Sequence, residues 1–114
     1  MNLTATLLSR GQSEFGWANL TPVPSETIRA PRVAEAPVAF ECILQRIVTV
    51  SDRPGGGAAV FGEVQRIHLR DDLYVDGSVS LEKLKPIGRI GGNGYVRVTD
   101  TFEMRRVPPP VSPT

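Results

Sequence analysis

The sequence predicts a mainly β chain, antiparallel and of barrel or sandwich type, with too few strands to close on itself. Three observations carry this expectation. Residues 38–50, "VAFECILQRIVTV", alternate with a period of two, as a pleated strand with one covered face requires. Residues 58–70, "AAVFGEVQRIHLR", follow a flexible "SDRPGGG" connection and read as the returning strand of a hairpin. Residues 95–104, "YVRVTDTFEM", alternate again after a glycine-rich run.

In chain order, Met1–Leu8 has weak helical character without an amphipathic stripe, and "SRGQ" breaks it. Ser13 is placed to cap one helical turn in "SEFGWANL", with Phe15, Trp17 and Leu20 as expected buried anchors. Between Thr21 and Pro37 four prolines impose an extended path that reads as a surface wrap. In the first long strand Val38, Phe40, Cys42, Leu44, Val48 and Val50 share the even phase, and Arg46 interrupts it. The returning strand shifts phase between Val64 and Ile67, which predicts a bulge near Gln65 and Arg66. Asp71-Asp72 and Asp76-Gly77 are turns around a short "LYV" strand. Ser80 caps a helical turn over Leu81–Lys85, stopped by Pro86. The last strand is expected to run to Met104 with Val96, Val98, Phe102 and Met104 on one face, and residues 108–114 read as a disordered Pro-rich tail.

Size and charge exclude whole classes of function. With 114 residues the chain holds one domain at most. A formal net charge of +1, with acidic and basic residues interspersed, gives no footprint for nucleic acid or an anionic membrane. No segment has the length of a membrane span, and the N-terminus lacks the basic and apolar regions of a signal peptide. Cys42 is the only cysteine and His68 the only histidine, so an intrachain disulfide, a cysteine-cluster zinc site and a multi-histidine metal site are excluded. A reducing cytoplasm is the expected compartment, and no metal is expected. His68 reads as a strand histidine facing solvent or a subunit contact, and Cys42 as a structural thiol on the apolar face.

The run "KPIGRIGGNGYVRV" places four glycines within seven residues, Gly88 to Gly94. Its spacing is wrong for a dinucleotide fingerprint, and Tyr95-Val96 stands where a phosphate loop needs Lys-Ser/Thr. Ile87-Gly88-Arg89-Ile90-Gly91 fits the I-G-x-x-G clamp of a K-homology fold, but that clamp must enter a helix, and Gly94 followed by β-branched residues opposes one. Two readings stay open: a turn that supplies positive φ on entry to a strand, or one wall of a ligand pocket in which Arg89 and Tyr95 converge on something flat or anionic.

Three blocks together carry a resemblance: "LTPVPSETIRAPRVAEAPVAFEC", "VFGEVQRIHLRDD" and "DGSVSLEKLKPIGRIGGNGYVRV". In order and spacing they resemble the carboxy-terminal half of the flavin reductase-like family. These are FMN-binding split-barrel proteins related to flavoredoxin and to the reductase components of two-component flavin monooxygenases. The resemblance covers residues 1–107. It implies a Greek-key barrel that dimerises, holds FMN (or FAD) near the subunit interface, and takes hydride from NAD(P)H, with a monooxygenase as a further partner. Among positions that match the family's motifs it implies flavin or nicotinamide contacts for Arg89, Gly91, Gly92, Tyr95 and His68, with Arg97 on Tyr95's face a weaker candidate. Family members are longer at the N-terminus, so the first barrel strands and the phosphate-binding residues are expected to be missing from this chain, whether it is a natural half, a fragment or a mis-started frame. The alternative function is a non-catalytic β module that keeps the barrel's interaction surface without flavin.

Overall fold

The computed structural model describes residues 2–108, so the end of the expected Pro-rich tail, residues 109–114, lies outside the described residues. Among the described residues, eight strands form four separate two-stranded antiparallel ladders: β1 (Pro22–Val23) with β2 (Arg32–Val33), β3 (Val38–Thr49) with β4 (Ala58–Leu69), β5 (Tyr74–Val75) with β6 (Ser78–Val79), and β7 (Ile87–Arg89) with β8 (Tyr95–Arg97). Two α-helical turns, α1 (Glu14–Trp17) and α2 (Leu81–Leu84), and two 3-10 turns, Leu3–Ala5 and Asp71–Leu73, complete the order among the described residues. The chain is therefore mainly β, and the barrel is not closed.

Both α-helical turns start where a serine hydroxyl can accept an orphan N–H. Ser13 Oγ accepts from Phe15 N at 3.2 Å, and Ser80 Oγ from Lys83 N at 3.4 Å. Lys85, at φ 50°, ends α2 in the left-handed region just before Pro86. Trp17 keeps 55% of its accessible surface and is exposed rather than a buried anchor. The stretch from Thr21 to Pro37 is also more ordered than a surface wrap. It folds back as β1 and β2, extended by Ala34 N donating to Thr21 O at 2.9 Å and by Glu35 accepting from Thr21 N.

The long hairpin β3–β4 organises the molecule, and its register explains the broken sequence phase. Glu41 pairs with Arg66 and Cys42 with Val64, so Gln65 is the extra residue of a bulge, where the phase shift predicts it. A second bulge, absent from the sequence reading, leaves Gln45 unpaired between Leu44↔Gly62 and Arg46↔Phe61. Each bulge resets the alternation. By register, Phe40, Cys42, Leu44 and Ile47 then share one face with Val60, Val64 and Ile67. Arg46 is thereby moved to the other face, where its guanidinium lies 5.5 Å from the Phe61 ring centroid.

That apolar face has no cover. Phe40, Leu44, Val60 and Ile67 all keep more than half of their accessible surface, and Cys42 is exposed rather than buried. Among the described residues Leu73 is the only fully buried apolar side chain. The accessible surface is 10467 Å², against about 6,100 Å² for a compact monomer of this mass. The radius of gyration is 19.2 Å, against about 13 Å for a compact chain of this length. A hairpin with one continuous apolar face and open edges presents a surface that suits another segment or another chain.

The final strand is shorter than expected. β8 ends at Arg97 instead of Met104. Its partner β7 is only three residues long; past it Val98 N still donates to Pro86 O at 3.1 Å, and the strand goes no further.

Candidate functional site

Two polar centres stand out, one at the base of the long hairpin and one at the glycine-rich hairpin. At the first, the ladder places Glu41 opposite Arg66 and Ala39 opposite His68, so Glu41, Arg66 and His68 share a face. Residues 25–31, between β1 and β2, lie against that face. Glu41 is fully buried. Its Oε1 accepts from Glu26 N at 2.9 Å, and its Oε2 accepts from Thr27 N at 2.7 Å and Thr27 Oγ1 at 2.5 Å. His68 Nε2 lies 2.6 Å from Glu41 Oε1. Around this core, Arg66 Nη1 meets Glu26 Oε2 at 2.7 Å, and Arg32 Nε stands 4.0 Å from Glu41 Oε1.

Burial by itself pushes the Glu41 pKa up, because it removes water from the charged form. The hydrogen bonds from Thr27, the Glu26 N–H and His68 outweigh it and bring the pKa from 4.5 to about 2. Glu41 is thus an anion that fastens the 25–31 loop and the histidine to the sheet. Next to it, an open polar groove of about 630 Å³ is lined by Arg32, His68 and Arg70 among others. Arg70 is engaged by Asp72 through Nε–Oδ1 at 2.5 Å and Nη2–Oδ2 at 3.2 Å, and that fork holds the Asp72 carboxyl below its usual range.

The second centre is the turn from Ile90 to Gly94. Ile90 N donates to Gly94 O at 3.1 Å, and Gly94 N to Gly91 O at 3.2 Å. Gly92 adopts φ 62°, where an L side chain is strained, and a Cβ at Gly94 would stand 2.8 Å from Ile90 Cγ1. The glycines thus close a β7–β8 hairpin, and the turn leads into a strand rather than the helix that a K-homology clamp needs. Arg89 Nη2 donates to Gly92 O at 3.4 Å across the same turn. Beyond it, Asn2, Ile87, Tyr95, Val96 and Arg97 line an open cleft of about 600 Å³. The Tyr95 hydroxyl and Asn2 Oδ1 are 2.5 Å apart, which ties the N-terminal segment to the edge of this cleft.

The structure therefore brings Tyr95 and Arg97 into one cleft, sets Arg89, Gly91 and Gly92 in the turn beside it, and puts His68 in the separate groove by Glu41. His68 is not free at the surface: it is four-fifths covered and bonded to Glu41. Glu41 itself escaped the sequence reading. The available signal was a carboxylate between Phe40 and Cys42 in a strand of otherwise apolar character. Among the described residues no group of three or more His, Cys, Asp or Glu is placed to hold a metal, and no helix is long and apolar enough to cross a membrane.

No family model matches the chain. An uncharacterized protein of Halalkalibacterium halodurans is 34% identical over 108 residues, which are 93% of this chain and 52% of that protein. Among solved structures, nitrilotriacetate monooxygenase component B from Bacillus cereus superposes with a TM-score of 0.82 at 36% identity, over 90% of this chain and 52% of that one. The 2-nitrobenzoate 2-nitroreductase NbaA of Pseudomonas fluorescens does so with a TM-score of 0.72 at 34% identity, over 93% and 52%. These neighbours are flavin reductase-like split-barrel proteins, and the chain matches about half of each. Flavoredoxin of Desulfovibrio vulgaris (Miyazaki F) shares the fold, with a TM-score of 0.68 at 24% identity over 83% of this chain and 49% of that one. What the chain matches is a carboxy-terminal portion of these split-barrel proteins. It spans about half the length of the curated relatives it matches.

Proposed function

We propose that residues 1–107 are the carboxy-terminal portion of an FMN-binding, NAD(P)H-dependent flavin reductase, working in the cytoplasm as a homodimer and passing electrons to a partner such as a monooxygenase. The observation that carries this reading is the cleft beside Tyr95. Isoalloxazine is a flat heteroaromatic with a hydrogen-bonding edge. The cleft offers an aromatic ring, the aliphatic side chains of Ile87 and Val96, and the polar groups of Asn2 and Arg97. The residues present fit one wall of such a site. FMN rather than FAD follows from the family resemblance, as does hydride donation by a nicotinamide.

Bound flavin would supply the redox chemistry. The chain's own residues bind and orient: Tyr95 by its ring face, Arg89 and Arg97 by their guanidinium donors, and the Gly91–Gly92 turn by a backbone that no side chain obstructs. His68 belongs to the separate groove by Glu41, where an electron donor or acceptor would approach. Titrating FMN into the purified chain while following flavin fluorescence tests this reading. Binding is expected at tens of micromolar, roughly the micromolar affinity scale. Tyr95→Ala is expected to weaken it about tenfold, the loss of about 1.4 kcal/mol of stacking. Fluorescence that does not respond to the chain overturns the reading.

The second reading, a non-catalytic β module, is favoured by a different observation. The apolar face of β3–β4 is exposed from Phe40 to Ile47 and from Val60 to Ile67, and suits another chain better than solvent. Self-association or protein binding without any flavin response selects it.

A further inference from the structure

The contact between Glu41 and the chain's one histidine constrains the imidazole beyond holding it in place. Glu41 accepts two N–H donors and one hydroxyl from the 25–31 loop, at 2.9, 2.7 and 2.5 Å. A carboxylate that serves so many donors has no proton to offer the ring, so the hydrogen in the 2.6 Å contact belongs to His68 Nε2. The other ring nitrogen, Nδ1, lies 4.0 Å from Glu26 Oε1, beyond hydrogen-bond length. Glu26 is meanwhile drawn to Arg66 through its second oxygen at 2.7 Å. The charged groups that meet the ring are thus Glu41 from β3 and, at 4.0 Å, Glu26 from the loop, and behind them Arg32 from β2 approaches Glu41 and Arg66 from β4 pairs with Glu26.

We propose that Glu41 is a positioning residue for His68, fixing the Nε2–H tautomer and the ring plane so that Nδ1 is left as an acceptor for a ligand N–H or O–H donor. A histidine with one nitrogen bonded to an ionised carboxylate has its two nitrogens assigned to different tasks. The loop takes part because the same carboxylate secures Glu26 and Thr27. One anion therefore sets both the ring and the segment beside it. The class of ligand, the donor edge of a bound nicotinamide or of the electron acceptor, rests on the flavin-reductase reading. The tautomer does not, and it is measured without any ligand.

Because the chain has one histidine, long-range proton–nitrogen correlation on histidine-labelled protein reports that ring alone. At about pH 8.5, well above the ordinary imidazole range, the wild-type chain is expected to show a single Nε2–H tautomer. Glu41→Gln keeps an acceptor oxygen and is expected to retain those shifts. Glu41→Leu is expected to move both nitrogens toward the average of the two tautomers. Thr27→Val removes one loop bond without touching the ring, and is expected to loosen the loop while leaving the tautomer alone. A wild-type ring that is already a mixture or carries its proton on Nδ1 overturns the proposal, whether or not the Leu variant folds. So does a folded Glu41→Leu chain with wild-type shifts, which would make Glu41 a loop fastener and nothing more. An absent flavin response would overturn the proposed function and leave the tautomer result standing.

Discussion

A carboxyl group with no exposed surface ordinarily resists ionisation, and Glu41 ionises because every lone pair it turns inward meets a donor. Its pKa of about 2 in the folded chain, against 4.5 for the free group, has a definite consequence for pH. The stabilisation it provides is fully present above the unfolded value and is lost as the pH falls through the folded one. The amides of Glu26 and Thr27 should therefore keep their native chemical shifts below pH 4.5 and change only toward pH 2. A midpoint near 4.5 would mean that the loop is not held by Glu41. At this scale the sequence was partly legible. His68 and Tyr95 were recognisable as chemistry-bearing residues, whereas Glu41 was not, because the donors that satisfy it lie 14 and 15 residues upstream.

At the scale of elements, local rules and ladder rules separate cleanly. Caps, turns and the Gln65 bulge depend on neighbours within a few residues, and the sequence announces each of them. The Gln45 bulge and the early end of β8 depend on which strand lies alongside, and no local pattern contains that information. The glycine turn gives a sharp contrast between adjacent positions. Gly92 has φ 62°, while a Cβ at Gly91 would meet nothing within 4 Å and its φ is not in the left-handed region. Gly92→Ala should lower stability by about 1–2 kcal/mol, and Gly91→Ala should fall within about 0.5 kcal/mol of wild type. Urea midpoints of the two variants, read beside the wild-type chain, check this, and equal midpoints would show that the turn does not need its positive φ. Ser80→Ala removes the cap of α2 and should cost about 1 kcal/mol by the same measurement.

The whole molecule is governed by what does not cover it. A surface of 10467 Å² and a radius of gyration of 19.2 Å describe a chain whose sheets have open edges and an unshielded apolar face. Sedimentation at tens of micromolar should accordingly find dimers or larger assemblies, the micromolar scale being where modest interfaces form. A compact, monodisperse monomer would mean that the apolar face closes on itself in solution. The sequence by itself determined the β character, the two long strands and their hairpin, the capped turns, the glycine reversal, and a strand count too small for a barrel. Each of these follows from side-chain periodicity or from backbone preferences that act within a few residues. Only the tertiary structure decided that two bulges align the apolar residues on one face, that the 25–31 loop covers the other face at Glu41, and that His68 and Tyr95 line separate clefts. Those outcomes depend on which distant segments meet, and contact energy between such segments leaves no period in the sequence that encodes them.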